Sequence, residues 1–201
     1  LFHYLTVTAE DENGNPYFEH NVMLKVSSLK TGQTLNARAR ILENKMYRGK
    51  LKHELIDFIM NQYINVCPPH GKPAFLKNKE RDVALIAFLF GTACRRSEAS
   101  NTNLKDLHLQ EGMVDFLRKG GAWDSVPIAE WSIPYLEDYL KIRNERYHTS
   151  KKDKALFVTL YHGQVKRLTA NTINDIVKKY STAFGKPTTA HKLRHTTASE
   201  I

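Results

Sequence analysis

Val83-Ala84-Leu85-Ile86-Ala87-Phe88-Leu89-Phe90 is an unbroken apolar run, and it limits what this chain can fold into more than any other feature. The run is far shorter than the roughly 20 residues a helix needs to cross a bilayer. Asn78 reads as the N-cap of a helix continuing through Cys94. A helix that is apolar on every face must be buried on nearly all sides, so other elements have to cover it. Several are legible. Leu51, Leu55, Phe58, Ile59 and Tyr63 fall at helical spacing, and Cys67-Pro68-Pro69 ends that helix. Residues 131–147 carry Leu136, Tyr139, Leu140 and Arg143 on one face. Residues 169–180 form a further helix, stopped near Gly185 and Pro187, and 190–201 another, with Thr188 and Thr189 as N-cap candidates. Residues 107–109, 113–118 and 125–128 read as short strands, with turns at Glu111-Gly112 and Gly120-Gly121. The expected fold is mainly α with one small antiparallel β-sheet, an α+β domain.

A chain of 201 residues suits one sizeable core with a fragment of another domain. Cys67 and Cys94 are too few for a disulfide framework and fit a reducing compartment, so a cytoplasmic location is expected. The formal net charge of +9 points toward polyanions. Its distribution is uneven. Residues 1–20 hold Glu10, Asp11, Glu12 and Glu19 and no Lys or Arg, whereas residues 25–52 hold eight cations against Glu43 alone. Among these, Lys25, Lys30, Arg38 and Arg40 are candidates for contacts along a phosphate backbone. A solvated linker would give the same charge pattern.

Four motifs carry chemistry. Gly91-Thr92-Ala93-Cys94-Arg95-Arg96-Ser97-Glu98 places a carboxylate three residues after an arginine. Arg118-Lys119-Gly120-Gly121 precedes Asp124-Ser125-Val126-Pro127-Ile128, and Val165-Lys166-Arg167-Leu168-Thr169 leads into a helical run. His191-Lys192-Leu193-Arg194-His195 puts His191 and Arg194 on one helical face. The start of that helix, with free N–H groups and the positive end of the dipole, favours a phosphate.

In this order the motifs resemble those of the tyrosine recombinase (phage-integrase-like) family. Gly14-Asn15-Pro16-Tyr17-Phe18, Lys77-Asn78-Lys79-Glu80-Arg81-Asp82 and Ala155-Leu156-Phe157-Val158-Thr159-Leu160-Tyr161 add a likeness to its Xer chromosome-dimer recombinases of the single-subunit kind. The resemblance spans nearly the whole chain and implies the family's catalytic-domain fold over residues 37–201. Residues 1–26 would be the remnant of an N-terminal core-binding domain and 27–36 the linker. It also implies that the tyrosine nucleophile lies beyond Ile201, because none of the nine tyrosines stands where the pattern demands. The chain as given is then expected to bind DNA without cleaving it.

The implied chemistry is transesterification of a phosphodiester. It needs a nucleophile, stabilisation of a trigonal-bipyramidal transition state and a proton for the leaving 5′ oxygen. The planar fork of arginine grips two non-bridging oxygens, which suits Arg95 and Arg194. Lys119 is the expected general acid, and His191 would hydrogen-bond the phosphate and assist proton transfer. Glu98 and His195 are expected to support the site. The bland alternative for Arg95 is a surface arginine satisfied by Glu98. Arg118 competes with Lys119, and strand alternation would point the two to opposite faces; Arg118 is assigned to DNA binding. Arg96 stands where the family usually has an apolar residue. Cys67-Pro68-Pro69-His70 is half a zinc site without a second pair, so no metal and no cofactor are expected.

The implied partners are double-stranded DNA at a specific recombination site, a homo-tetramer in the synaptic complex and a septal DNA translocase, with no membrane. The implied task is chromosome dimer resolution through a 3′-phosphotyrosyl intermediate and a Holliday junction. The alternatives are an integrase of a phage or conjugative element and a non-catalytic DNA-binding protein.

Overall fold

The computed structural model describes residues 9–17, 49–118 and 120–197, with side chains described as far as Arg194. Lys119, Lys25, Lys30, Arg38, Arg40 and the expected linker 27–36 lie outside the described residues, as does the side chain of His195. The chain divides into two compact units, Leu1–Glu43 and Asn44–Ile201. In the first, residues 9–17 form a turn closed by a bridge between Glu10 and Pro16. The Asp11 carboxylate accepts the amides of Asn13 and Asn15 at 2.8 and 2.9 Å, as expected of turn formers.

The second unit is built around the apolar run. Its central helix, α3 (Lys72–Thr92), follows α1 (Leu51–Asp57), a π-helical turn (Phe58–Gln62) and α2 (Tyr63–Val66). Every residue from Val83 to Thr92 is buried. The helix begins at Lys72 rather than at Asn78. Pro73 sits in its first turn, where a missing N–H costs nothing, and Asn78 donates to the Ala74 carbonyl inside the helix at 2.8 Å. The extra turns are held by packing: Phe75 is buried, its ring 4.9 Å from Tyr63 and 6.3 Å from Tyr180.

After α3 come α4 (Arg96–Asn101), β1 (Leu107–His108), β2 (Met113–Leu117), β3 (Trp123–Pro127), α5 (Ile133–Tyr147), β4 (Val158–Tyr161), β5 (Gln164–Arg167), α6 (Ala170–Ala183) and α7 (Ala190–Thr197). The first three strands form the expected antiparallel sheet, with Leu117 opposite Trp123 at its open end. There is a second sheet where one was expected, the β4–β5 hairpin. Its turn uses positive φ at His162 (48°) and Gly163 (75°). His-Gly is a weaker hairpin signal than Asn-Gly, and Gln164-Val165-Lys166-Arg167 offers a single apolar residue to read.

Two local features position the chain around the candidate site. A Cβ on Gly91 would stand 2.3 Å from Ser132 Oγ, so only glycine lets α3 meet the 3-10 turn Glu130–Ser132. At the C-terminus of the unit, Thr189 caps α7 by accepting the Lys192 amide at 3.3 Å, as predicted, and Ala190 and Leu193 are buried in the core.

Candidate active site

The chain leaves α3 through Ala93 in the left-handed conformation (φ 49°) and reaches Arg95 extended (φ −74°, ψ 151°), the residue that caps α4. Glu98, in the third position of α4, turns back and accepts the Arg95 amide on Oε2 at 2.6 Å. Its Oε1 accepts Arg95 Nη1 at 2.7 Å. The three-residue spacing read in the sequence is thus a helix start in which one carboxylate fixes both the backbone and the guanidinium of Arg95.

Two further arginines reach the same carboxylate. Arg118, at the end of β2, brings Nη1 to 2.9 Å from Glu98 Oε2. Its Nε and Nη2 contact Asp124 Oδ2 on β3 at 2.9 and 2.8 Å. The buried Arg118 Nη1 finds no aligned hydrogen bond, so its link to Glu98 is an ion pair set by charge and proximity. Arg194, on α7, donates Nη1 to the Ala93 carbonyl at 2.8 Å and stands 3.6 Å from Glu98 Oε2. The Ala93 turn therefore anchors Arg194 as well as leading to Arg95.

Glu98 is only 4% exposed, whereas the side chains of Arg95, Arg194 and Arg118 are 51%, 27% and 24% exposed. Burial by itself would raise the Glu98 pKa. The hydrogen bonds from the Arg95 amide and guanidinium, with the Arg118 guanidinium, outweigh it and hold the carboxyl below its ordinary range. Three guanidinium charges face two carboxylates, Glu98 and Asp124, which leaves one positive charge in excess (3 − 2). Arg95 and Arg194 present partly exposed forks beside that excess charge, and a guanidinium fork has the geometry to accept two oxygens of a phosphate.

Of the sequence-predicted residues, the structure brings together Arg95, Glu98, Arg118 and Arg194. His191 is exposed in the first turn of α7, on the face it shares with Arg194. Arg118, expected on DNA, is turned to Glu98 and Asp124. Sequence reasoning missed Asp124 and the Ala93 carbonyl. Asp124 had a legible signal, an opposite charge across a hairpin from Arg118; a backbone carbonyl has none. Cys94, beside Arg95, is no nucleophile at neutral pH, because burial pushes its thiol up to about 12. Among the described residues, no group of three or more His, Cys, Asp or Glu stands where it could hold a metal ion.

Residues 51–201 match the phage integrase family. The chain belongs to that family. It is 45% identical over all 201 residues to tyrosine recombinase XerS of Streptococcus thermophilus (strain CNRZ 1066) and of Streptococcus pneumoniae (strain Hungary19A-6). These alignments cover 100% of this chain and 56% of each relative, so the chain spans just over half the length of the curated relatives it matches. Among solved structures it is similar to XerA recombinase (TM-score 0.57, 23% identity, 74% of this chain and 46% of that one). It is also similar to XerH site-specific recombinase bound to difH substrate in a pre-cleavage complex (TM-score 0.53, 22% identity, 99% and 50%). At these identities the likeness is one of fold, and it agrees with the observed α+β architecture. Arg96 is exposed, and Ala99 is buried on α4.

Proposed function

We propose that this chain is the phosphate-gripping part of a site-specific tyrosine recombinase of the Xer type. The observation that carries the reading is the convergence of Arg95 and Arg194, 99 positions apart in the chain (194 − 95), on the buried carboxylate of Glu98. In the proposed reaction a tyrosine oxygen from beyond residue 201 attacks the scissile phosphorus. The bond from phosphorus to the 5′ oxygen breaks, and a 3′-phosphotyrosyl link forms. Arg95 and Arg194 bind the non-bridging oxygens and meet the charge that develops on them. Lys119 gives the proton to the leaving 5′ oxygen, and His191 hydrogen-bonds the phosphate. The link conserves the phosphodiester energy, so rejoining needs no nucleotide hydrolysis and no metal or cofactor.

The substrate in this reading is double-stranded DNA at a dedicated site, held by a homo-tetramer that exchanges strands through a Holliday junction. Lys25, Lys30, Arg38 and Arg40 extend the grip along the duplex. Chromosome dimer resolution in the cytoplasm, assisted by a septal DNA translocase, is the task that fits; 45% identity to proteins named XerS favours it over a mobile-element integrase. No helix among the described residues is long and apolar enough to cross a membrane.

The test is to incubate the full-length protein with a nicked duplex that traps cleavage and to look for a denaturation-resistant protein–DNA adduct. Wild type should form it, and Arg95→Ala and Arg194→Ala should form it at least about 10²-fold more slowly. Tight, salt-sensitive binding to a verified site with no adduct would instead establish a non-catalytic DNA-binding protein.

A further inference from the structure

We infer that the exposed face made by the turn Leu104–Asp106, strands β2 and β3 and the loop at residues 148–154 is a docking surface for a second copy of this chain, whose acidic turn at residues 10–17 it receives. Two depressions meet on this face at Lys105. The larger, of about 660 Å³, is ringed by Lys105, Lys151 and Lys154. Asp153 also lines it, but its carboxylate accepts the Ser150 amide and hydroxyl at 2.7 and 2.9 Å and is spent on shaping the loop. The smaller, of about 240 Å³, is bordered by Leu117 and Trp123, which oppose each other across β2 and β3 and are both exposed. The carboxylates beside it are already engaged: Asp106 accepts the Asn103 amide at 2.9 Å, Asp115 pairs with His108 at 3.0 Å, and Glu98 holds Arg95. Lys105 Nζ stands 6.0 Å from the centre of the Trp123 ring and so joins the basic depression to the apolar one. An exposed tryptophan packed beside a leucine and rimmed by cations has the composition of an interface anchor.

The acidic turn carries the complementary set. Residues 1–20 hold four carboxylates and no Lys or Arg. The bridge between Glu10 and Pro16 closes the turn, and the Asp11 carboxylate holds the amides of Asn13 and Asn15. Glu10, Glu12 and Tyr17 are left exposed. A turn whose shape is already fixed pays less ordering entropy on docking. Glu10 and Glu12 of one copy meet Lys151 and Lys154 of the next, and the Tyr17 ring meets Trp123 and Leu117. Giver and receiver are different parts of the chain, so the contact is heterologous and repeats from copy to copy until a ring closes.

Association can be measured without DNA or cleavage, which separates this contact from the proposed reaction. Full-length wild type, Glu10→Lys/Glu12→Lys, Lys151→Glu/Lys154→Glu and Trp123→Ala are compared by sedimentation equilibrium at low salt, with thermal melting and duplex affinity in parallel. Wild type should self-associate, and each variant should do so at least about tenfold more weakly, because like charges are brought together or the apolar anchor is lost. An equimolar mixture of the two charge-reversed proteins should associate as wild type does, since every contact between unlike copies again pairs opposite charges. Trp123→Ala serves if a charge-reversed protein melts early. A wild type that stays monomeric, or variants that associate as it does, would overturn the inference. So would restoration by placing both reversals in one chain without restoration by mixing. Loss of duplex affinity in Lys151→Glu/Lys154→Glu with association unchanged would assign these lysines to DNA instead.

Discussion

Glu98 shows how much a single carboxylate organises at the scale of one residue. It is nearly buried, it accepts the amide and guanidinium of Arg95, and it faces Arg118 and Arg194. Removing its charge strands cations whose positions depend on it. Hydrogen bonds to charged partners are worth about 1.5–3 kcal/mol, so Glu98→Gln, which keeps the shape and one acceptor, should lose stability of that order at pH 7 in denaturant melts. The pH dependence follows from the depressed folded-state pKa. Burial opposes the depression, but the Arg95 and Arg118 contacts prevail. The stabilisation is therefore complete above the ordinary glutamate value, about 4.3, and is lost as pH falls through the lower folded value, where the unfolded chain binds more protons. The gap between wild type and Glu98→Gln should accordingly narrow on acidification. A gap that stays constant down to pH 3 would show that the contacts do not hold the carboxyl ionised.

Between elements, buried polar ties do what a continuous apolar core cannot: they fix register. Asp82 on α3 is 1% exposed. It accepts Arg81 Nε and Nη2 on Oδ1 at 2.9 and 2.6 Å, and the Tyr180 hydroxyl of α6 on Oδ2 at 2.7 Å. Arg81 Nη1 continues to the Val158 carbonyl of β4 at 3.3 Å, so one ion pair links the central helix to the helix and hairpin beside it. Tyr180→Phe should cost about 1.5–3 kcal/mol in urea unfolding, the value of a hydrogen bond to a charged group. A loss near zero would mean that Lys179 Nζ, 3.7 Å from the same oxygen, takes over. These ties also explain what the sequence could and could not tell. The apolar run, the Arg95 to Glu98 spacing and the Thr189 cap are local patterns, and they were legible. The true start of α3 was not, because Phe75 is held by Tyr63 and Tyr180, residues distant in the chain. The orientation of Arg118 was not, because Glu98 lies 20 positions before it (118 − 98) and strand alternation says nothing of a carboxylate on a neighbouring helix.

For the whole molecule the question is which of its positive charges are available to DNA. The formal excess of +9 counts all Lys and Arg alike, yet the structure divides them. Arg118 faces Glu98 and Asp124, and Arg143 is 2% exposed, its guanidinium spent on the carbonyls of Asp153, Ala155 and Leu156. Arg95 and Arg194 have forks open to solvent in part. Under the proposed function, each cation that neutralises a phosphate releases condensed counterions and contributes about 0.9 to the slope of log K against log salt for duplex DNA. Replacing Arg95 or Arg194 by alanine should therefore reduce that slope by about 1. Arg118→Met removes the same formal charge, but that charge already faces Glu98 and Asp124 rather than solvent, so it should reduce the slope by less than either. Titrating the full-length protein with a short duplex at several salt concentrations separates the two cases. Equal reductions for all three variants would mean that net charge alone governs binding and that the pairing around Glu98 does not partition the arginines. A reduction larger for Arg95 and Arg194 than for Arg118 would mark these two as phosphate contacts and Arg118 as part of the scaffold that holds them.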